Sequence, residues 1–155
     1  NMSQGTSIAA PHISGVIALM IQKWRQQNST EDDPAPSTVK AILLHTANDS
    51  EAPDDPATTG FDPIPFGPDY STGYGIVNAT KAIDKIIEDN SVNVILDNVT
   101  LTGVNKTYKM SVTNSNPIKA TLVWDDVPGA PMAAKELVND LDLIVYSPSN
   151  VRYYP

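Results

Sequence analysis

No Asp, Glu, Lys or Arg occurs between Asn1 and Gln22, and apolar side chains dominate from Ile8 to Ile21. This stretch constrains the fold more than any other. Ile13, Val16, Ile17, Met20 and Trp24 recur at the three-or-four spacing of one helical face, predicting a helix over residues 6–27. Ile8, Ala9, Ala10, Ala18, Leu19 and Ile21 fill much of the remaining surface, and a helix apolar nearly all round belongs inside a large fold. Pro11, His12, Ser14 and Gly15 interrupt the apolar run, and a bilayer span needs about 20 mostly apolar residues. The segment is therefore read as a buried helix and not as a membrane span. Charge first returns at Lys23 and Arg25, where cations suit the negative end of the helix dipole.

The chain has 155 residues, room for one ordinary domain or two small ones. Its 41% apolar and 18% charged residues are compatible with a buried core. A formal net charge of −8 without a basic stripe argues against a nucleic-acid partner. The absence of Cys excludes disulfides, a thiolate nucleophile and a Cys-based zinc site.

Further along, Ser37 is placed to cap a second helix through Val39, Ile42, Leu43 and Thr46. Residues 48–73 are rich in Pro, Gly and Asp and lack periodicity, which predicts a long loop. Gly73-Tyr74-Gly75 reads as a tight turn into Ile76-Val77. Asn78 then caps a third helix with Ala79, Ala82, Ile83, Ile86 and Ile87 on its inner face. The texture changes near Ser91. Runs at 92–96, 99–102, 108–112, 120–124 and 141–146 read as strands of an antiparallel sandwich. The expected organisation is two domains, 1–90 and 91–155, the second with fewer strands than a complete sandwich. The chain opens on Asn1 in mid-motif and stops at Pro155 without a closing strand, so it is expected to be part of a longer protein.

The segment that carries chemistry is Gly5-Thr6-Ser7-Ile8-Ala9-Ala10-Pro11-His12. With Thr6 as a possible N-cap, Ser7 falls in the first helical turn, where unpaired N–H groups and the positive dipole end face outward. A hydroxyl there suits acyl transfer, because Oγ can attack a carbonyl while a backbone N–H stabilises the oxyanion. On these features alone, a Ser at a helix start is more commonly a cap. Pro11 cannot donate to the Ser7 carbonyl, which leaves the first turn open to kinking or loosening. His12 follows five residues later, a helical rotation of about 140°, so its imidazole points away from the hydroxyl. His45 is expected to pack and not to catalyse.

Gly-Thr-Ser-x-Ala-x-Pro-His opening a long apolar helix resembles the nucleophile segment of subtilisin-like serine proteases. The likeness continues through Ile13-Ser14-Gly15-Val16, resumes at Val39–Ala47, and again at Gly73-Tyr74-Gly75-Ile76-Val77-Asn78-Ala79. The resemblance implies an α/β catalytic domain, with Ser7 as nucleophile and its own N–H as one oxyanion donor. It also implies that the catalytic His and Asp and the oxyanion Asn lie upstream in the same polypeptide. Protein or peptide would be the substrate, and no cofactor is required for the chemistry. Ile8 and Gln4 depart from the family, which most often has Met after the nucleophile and a small residue at the position of Gln4.

Ala120-Thr121-Leu122-Val123-Trp124-Asp125-Asp126 and Leu137-Val138-Asn139-Asp140-Leu141-Asp142-Leu143 resemble the β-sandwich that follows the catalytic domain in one group of secreted subtilases. Asp125, Asp126, Asp140 and Asp142 are candidate oxygen ligands for a structural Ca²⁺; the competing reading is that they cap turns and solvate strand ends. Asn-x-Ser/Thr sequons at Asn28, Asn48, Asn78, Asn98 and Asn105 exceed chance and suit a secreted, glycosylated protein, Asn78 excepted as a helix cap. The expected function is a secreted serine endopeptidase whose present piece is inactive alone. The alternatives are a non-catalytic relative, or a binding or adhesion module using the sandwich.

Overall fold

The computed structural model describes residues 5–28, 32–48, 68, 73–89, 105–112 and 118–155. These contain three helices, α1 (Thr6–Gln27), α2 (Pro36–Thr46) and α3 (Ala79–Glu88), and two strands, β1 (Val145–Tyr146) and β2 (Arg152–Tyr153). None of these helices is long and apolar enough to cross a membrane. The chain divides into two compact units, Asn1–Thr121 and Leu122–Pro155.

In the first unit, α3 packs on both α1 and α2. The buried core is Met20, Ile42, Ala82 and Ile86, with Val16, Trp24, Val39 and Leu43 packed around it. Val16, Met20 and Trp24 are spaced by four and come from the face expected of α1. Off that face, Leu19 is 49% exposed. Ala82 and Ile86 form the buried stripe of α3, whereas Ile87 is 46% exposed and is not part of the inner face. At 100° per residue, Ile87 is rotated off the 82–86 line.

The helix ends are set by local chemistry. Asn78 caps α3, its Oδ1 accepting the Lys81 N–H at 2.9 Å. Ser37 does not cap α2. That helix begins at Pro36, with Ala35 as the capping residue, and Ser37 is buried in its first turn. Proline's fixed φ and missing N–H suit it to the first helical position, which moves the start one residue ahead of the Ser. Asn48 and Ile76 exchange backbone hydrogen bonds of 2.8 Å each, fastening the chain just past α2 to the chain shortly before α3. Gly73 and Gly75 have φ of 62° and 95°, the left-handed backbone that makes the expected turn.

The compact units divide after Thr121. The Lys119 Nζ donates to the His45 carbonyl at 2.7 Å, and His45 Nδ1 lies 2.9 Å from Thr121 Oγ1. These two bonds hold residues 118–121 to the end of α2 and place them with the helices. Residues 90–104, where the change of texture falls, lie outside the described residues.

A β-sandwich is not formed among the described residues, which hold one two-stranded sheet. Runs 92–96 and 99–102 lie outside them. Residues 108–112 and 120–124 are not in strands, and run 141–146 supplies only Val145–Tyr146. Alternation alone does not make a strand; a neighbour must take up its N–H and C=O groups. β1 finds that neighbour in β2, with Val145 opposite Tyr153 and Tyr146 opposite Arg152. The turn explains the pairing. Asn150 N–H bonds the Ser147 carbonyl at 2.9 Å, Pro148 and Ser149 occupy its centre, and Asn150 has φ 61°. Proline presets the first central position, and Asn tolerates the left-handed region.

Also in the second unit, the Asp126 carboxylate closes the 127–138 loop. It accepts the N–H groups of Val127 (2.9 Å), Val138 (2.8 Å) and Asn139 (3.2 Å), and the Asn139 side-chain amide (2.7 Å). Partial burial pushes this carboxyl up, but those donors outweigh it and hold its pKa below the ordinary value. A depressed carboxylate pKa stabilises the fold above the unfolded value and loses that contribution as pH falls through the folded one. Protection factors for amide exchange at Val138 and Asn139, taken relative to the intrinsic rate at each pH, should therefore fall on acidification below the usual Asp range, and in Asp126→Asn should be low at every pH. Protection at these amides that persists unchanged to strongly acidic pH would show that the carboxylate does not hold the loop.

Candidate active site

Ser7 sits in the first turn of α1. Gly5, not Thr6, is the capping residue, with φ 133° and ψ 166° and without a side-chain cap. Open space surrounds the position of a Gly5 Cβ, so it is the backbone angle that calls for glycine. The Gly5 carbonyl accepts both the Ile8 N–H (3.0 Å) and the Ala9 N–H (3.1 Å). The Thr6 and Ser7 N–H groups precede the helical ladder and point out from its start. The Ser7 side chain is exposed. Among the described residues, its hydroxyl has no hydrogen-bond partner and is not spent on capping.

Pro11 lies inside α1, so the Ser7 carbonyl receives no helical N–H from it. The helix nonetheless continues unbroken to Gln27. Two side chains turn back onto its carbonyls beside the proline. His12 Nδ1 lies 2.7 Å from the Ile8 oxygen, and Ser14 Oγ donates to Ala10 at 3.3 Å. A carbonyl only accepts, so His12 carries its proton on Nδ1 and is committed to the backbone, as the helical rotation predicts. His45 is half-buried on Thr121. Burial, followed by the nearby charges of Lys119 and Lys85, lowers its pKa and keeps the ring neutral. Neither imidazole is bonded to the Ser7 hydroxyl. The start of α1 thus presents an exposed hydroxyl, and among the described residues no imidazole is bonded to it.

The four candidate calcium ligands do not assemble. No group of three or more His, Cys, Asp or Glu side chains among the described residues could hold a metal ion. Asp126 already faces four N–H donors, and Asp140 Oδ2 pairs with Lys135 Nζ at 2.9 Å. A carboxylate turned toward N–H groups offers its lone pairs to them and not to a cation, so this donor set does not fit Ca²⁺. Turn closure, the competing reading, describes Asp126.

Comparison with known proteins bears on the Ser7 segment. Residues 1–75 match the model of the subtilase family. Fervidolysin of Fervidobacterium pennivorans is 34% identical over 80 residues, 52% of this chain and 9% of that protein. The subtilisin-like protease SBT2.2 of Arabidopsis thaliana is 36% identical over 83 residues, covering 54% and 10%. Tripeptidyl-peptidase 2 of Drosophila melanogaster is 28% identical over 87 residues, covering 56% and 5%. The chain thus spans a tenth or less of the length of these curated relatives. No solved structure matches it. Taken with the exposed serine at the mouth of α1, the match identifies residues 1–75 as subtilase-family sequence.

Proposed function

We propose that this chain carries the nucleophile segment of a secreted subtilisin-like serine endopeptidase. Ser7 Oγ attacks the scissile carbonyl, the peptide C–N bond breaks, and the acyl group stays on Ser7 until water releases it. The Ser7 N–H supports the negative charge on the carbonyl oxygen, aided by the positive end of α1. Upstream sequence of the same polypeptide supplies the His that takes the hydroxyl proton and returns it to the leaving amine. The Asp that orients this His and a second oxyanion donor come from there as well. The observation that carries this reading is the exposed, uncommitted Ser7 hydroxyl at the start of a helix whose sequence is that of the family.

Neither of the two histidines is bonded to Ser7, so the 155-residue chain alone is expected to be inactive. It is expected to give no acylation burst with a peptide ester and no stoichiometric labelling by a fluorophosphonate. The whole protease should label at one serine, identified as Ser7 by peptide mass spectrometry. Labelling at any other residue, or rapid labelling of the isolated chain, would overturn the assignment.

A further inference from the structure

Sequons are a motif the catalytic reading does not absorb, and the structure separates them. Asn28, Asn48, Asn78 and Asn105 fall on described residues; Asn1 and Asn98 lie outside them. Three of the four belong to the helix ends. Asn28 Nδ2 donates to the Trp24 carbonyl at 3.2 Å, closing α1. Asn78 Oδ1 caps α3, while its Nδ2 lies 3.4 Å from Asn48 Oδ1. Asn48 Oδ1 also accepts Lys81 Nζ at 2.6 Å, and its backbone is pinned to Ile76.

Asn105 differs. It is exposed, as are Lys106 and Thr107, and it lies in a segment without helix or turn. Among the described residues, neither the Asn105 amide nor the Thr107 hydroxyl has a hydrogen-bond partner. Lys106 Nζ lies 5.5 Å from the centroid of the Tyr108 ring. Contact between residues two apart is the spacing of one face of an extended chain, which leaves Asn105 and Thr107 to share the opposite face. A glycosyl transferase needs that pairing of an open amide with a hydroxyl two residues on.

We propose that Asn105 is an N-glycosylation site, occupied in preference to Asn28 and Asn78; this rests on the reading that the protein is secreted. The donor is an oligosaccharide linked through its first sugar to a lipid diphosphate. A bond forms between Asn105 Nδ2 and the sugar C1. The C1–O bond to phosphate breaks, and the lipid diphosphate leaves with the electron pair. The displaced amide proton passes to a base of the transferase. Such a glycan extends into solvent without removing a hydrogen bond of the fold, whereas at Asn28 or Asn78 it must share an amide that closes or caps a helix.

The test is to direct the chain, bearing a cleavable leader, through the secretory pathway of a eukaryotic cell. The secreted product is then deglycosylated with an amidase in heavy-oxygen water, which marks each occupied Asn as labelled Asp. Label is expected at Asn105 in most molecules and in few at Asn28 or Asn78. Asn105→Gln and Thr107→Val should each remove that label, the second with the amide intact. An unlabelled Asn105 in secreted chain, or equal label at Asn78, overturns the proposal. The leader enforces export, so this result is independent of whether the native protein is found outside its cell, and a Ser7→Ala background keeps it independent of catalysis.

Discussion

Replacing Ser7 by Ala in the whole protease should lower kcat by about a thousandfold or more, with KM changed far less. The reason is the division of labour at the start of α1. On the proposed function, the hydroxyl forms the covalent bond, whereas substrate binding rests on surfaces that the substitution does not touch. His12→Gln provides the contrast. The imidazole is held by the Ile8 carbonyl at 2.7 Å, so its loss should leave activity within about tenfold and act on the helix beside Pro11. Peptide hydrolysis measured on the two variants side by side separates a nucleophile from a structural neighbour. Activity of Ser7→Ala comparable to that of His12→Gln would remove Ser7 from the mechanism.

Local rules reached some parts of this molecule and not others. The span of α1 was legible because its apolar spacing and terminal charges agree, and Pro11 did not end it. α3 was legible from Asn78, whose side chain competes well for a helix-start N–H. At α2 two good starting residues stand side by side, Pro36 and Ser37, and the proline geometry prevailed. Strands are harder because pairing is decided by what lies opposite, often far along the chain. Tyr108, Met110 and Val112 alternate as strand residues do, yet they are not in a strand and are 46%, 47% and 51% exposed. The β1–β2 hairpin is within reach of local reasoning, since Pro148-Ser149-Asn150 is turn chemistry, but Val151-Arg152-Tyr153 is too short to show a strand pattern by itself. Ser7 emerged from a motif that combines a glycine backbone angle, a helix start and a hydroxyl. Of the four Asp residues, Asp126 faces N–H groups and Asp140 an ammonium group, partners that the sequence pattern does not specify.

The scaffold behind Ser7 should be most sensitive at Met20. Among the described residues it is the largest side chain that is fully buried, at 1% exposure, and it belongs to a core of only four buried apolar residues. Met20→Ala removes transfer free energy and leaves a cavity, a combined cost of about 2–5 kcal/mol for a buried Met, Leu or Ile. Against a typical total of about 5–15 kcal/mol, that is a large share of what holds a small domain together. Leu19, next in the chain and 49% exposed, points off the packed face, so Leu19→Ala should cost well under half as much. The described helices all lie in the first unit, so far-ultraviolet circular dichroism during urea titration reports on this core. The midpoint for Met20→Ala should fall far below those of wild type and Leu19→Ala. Equal midpoints for the two variants would mean that α1 is not held by the Met20–Ile42–Ala82–Ile86 cluster, and Ser7 would then be presented by some other support.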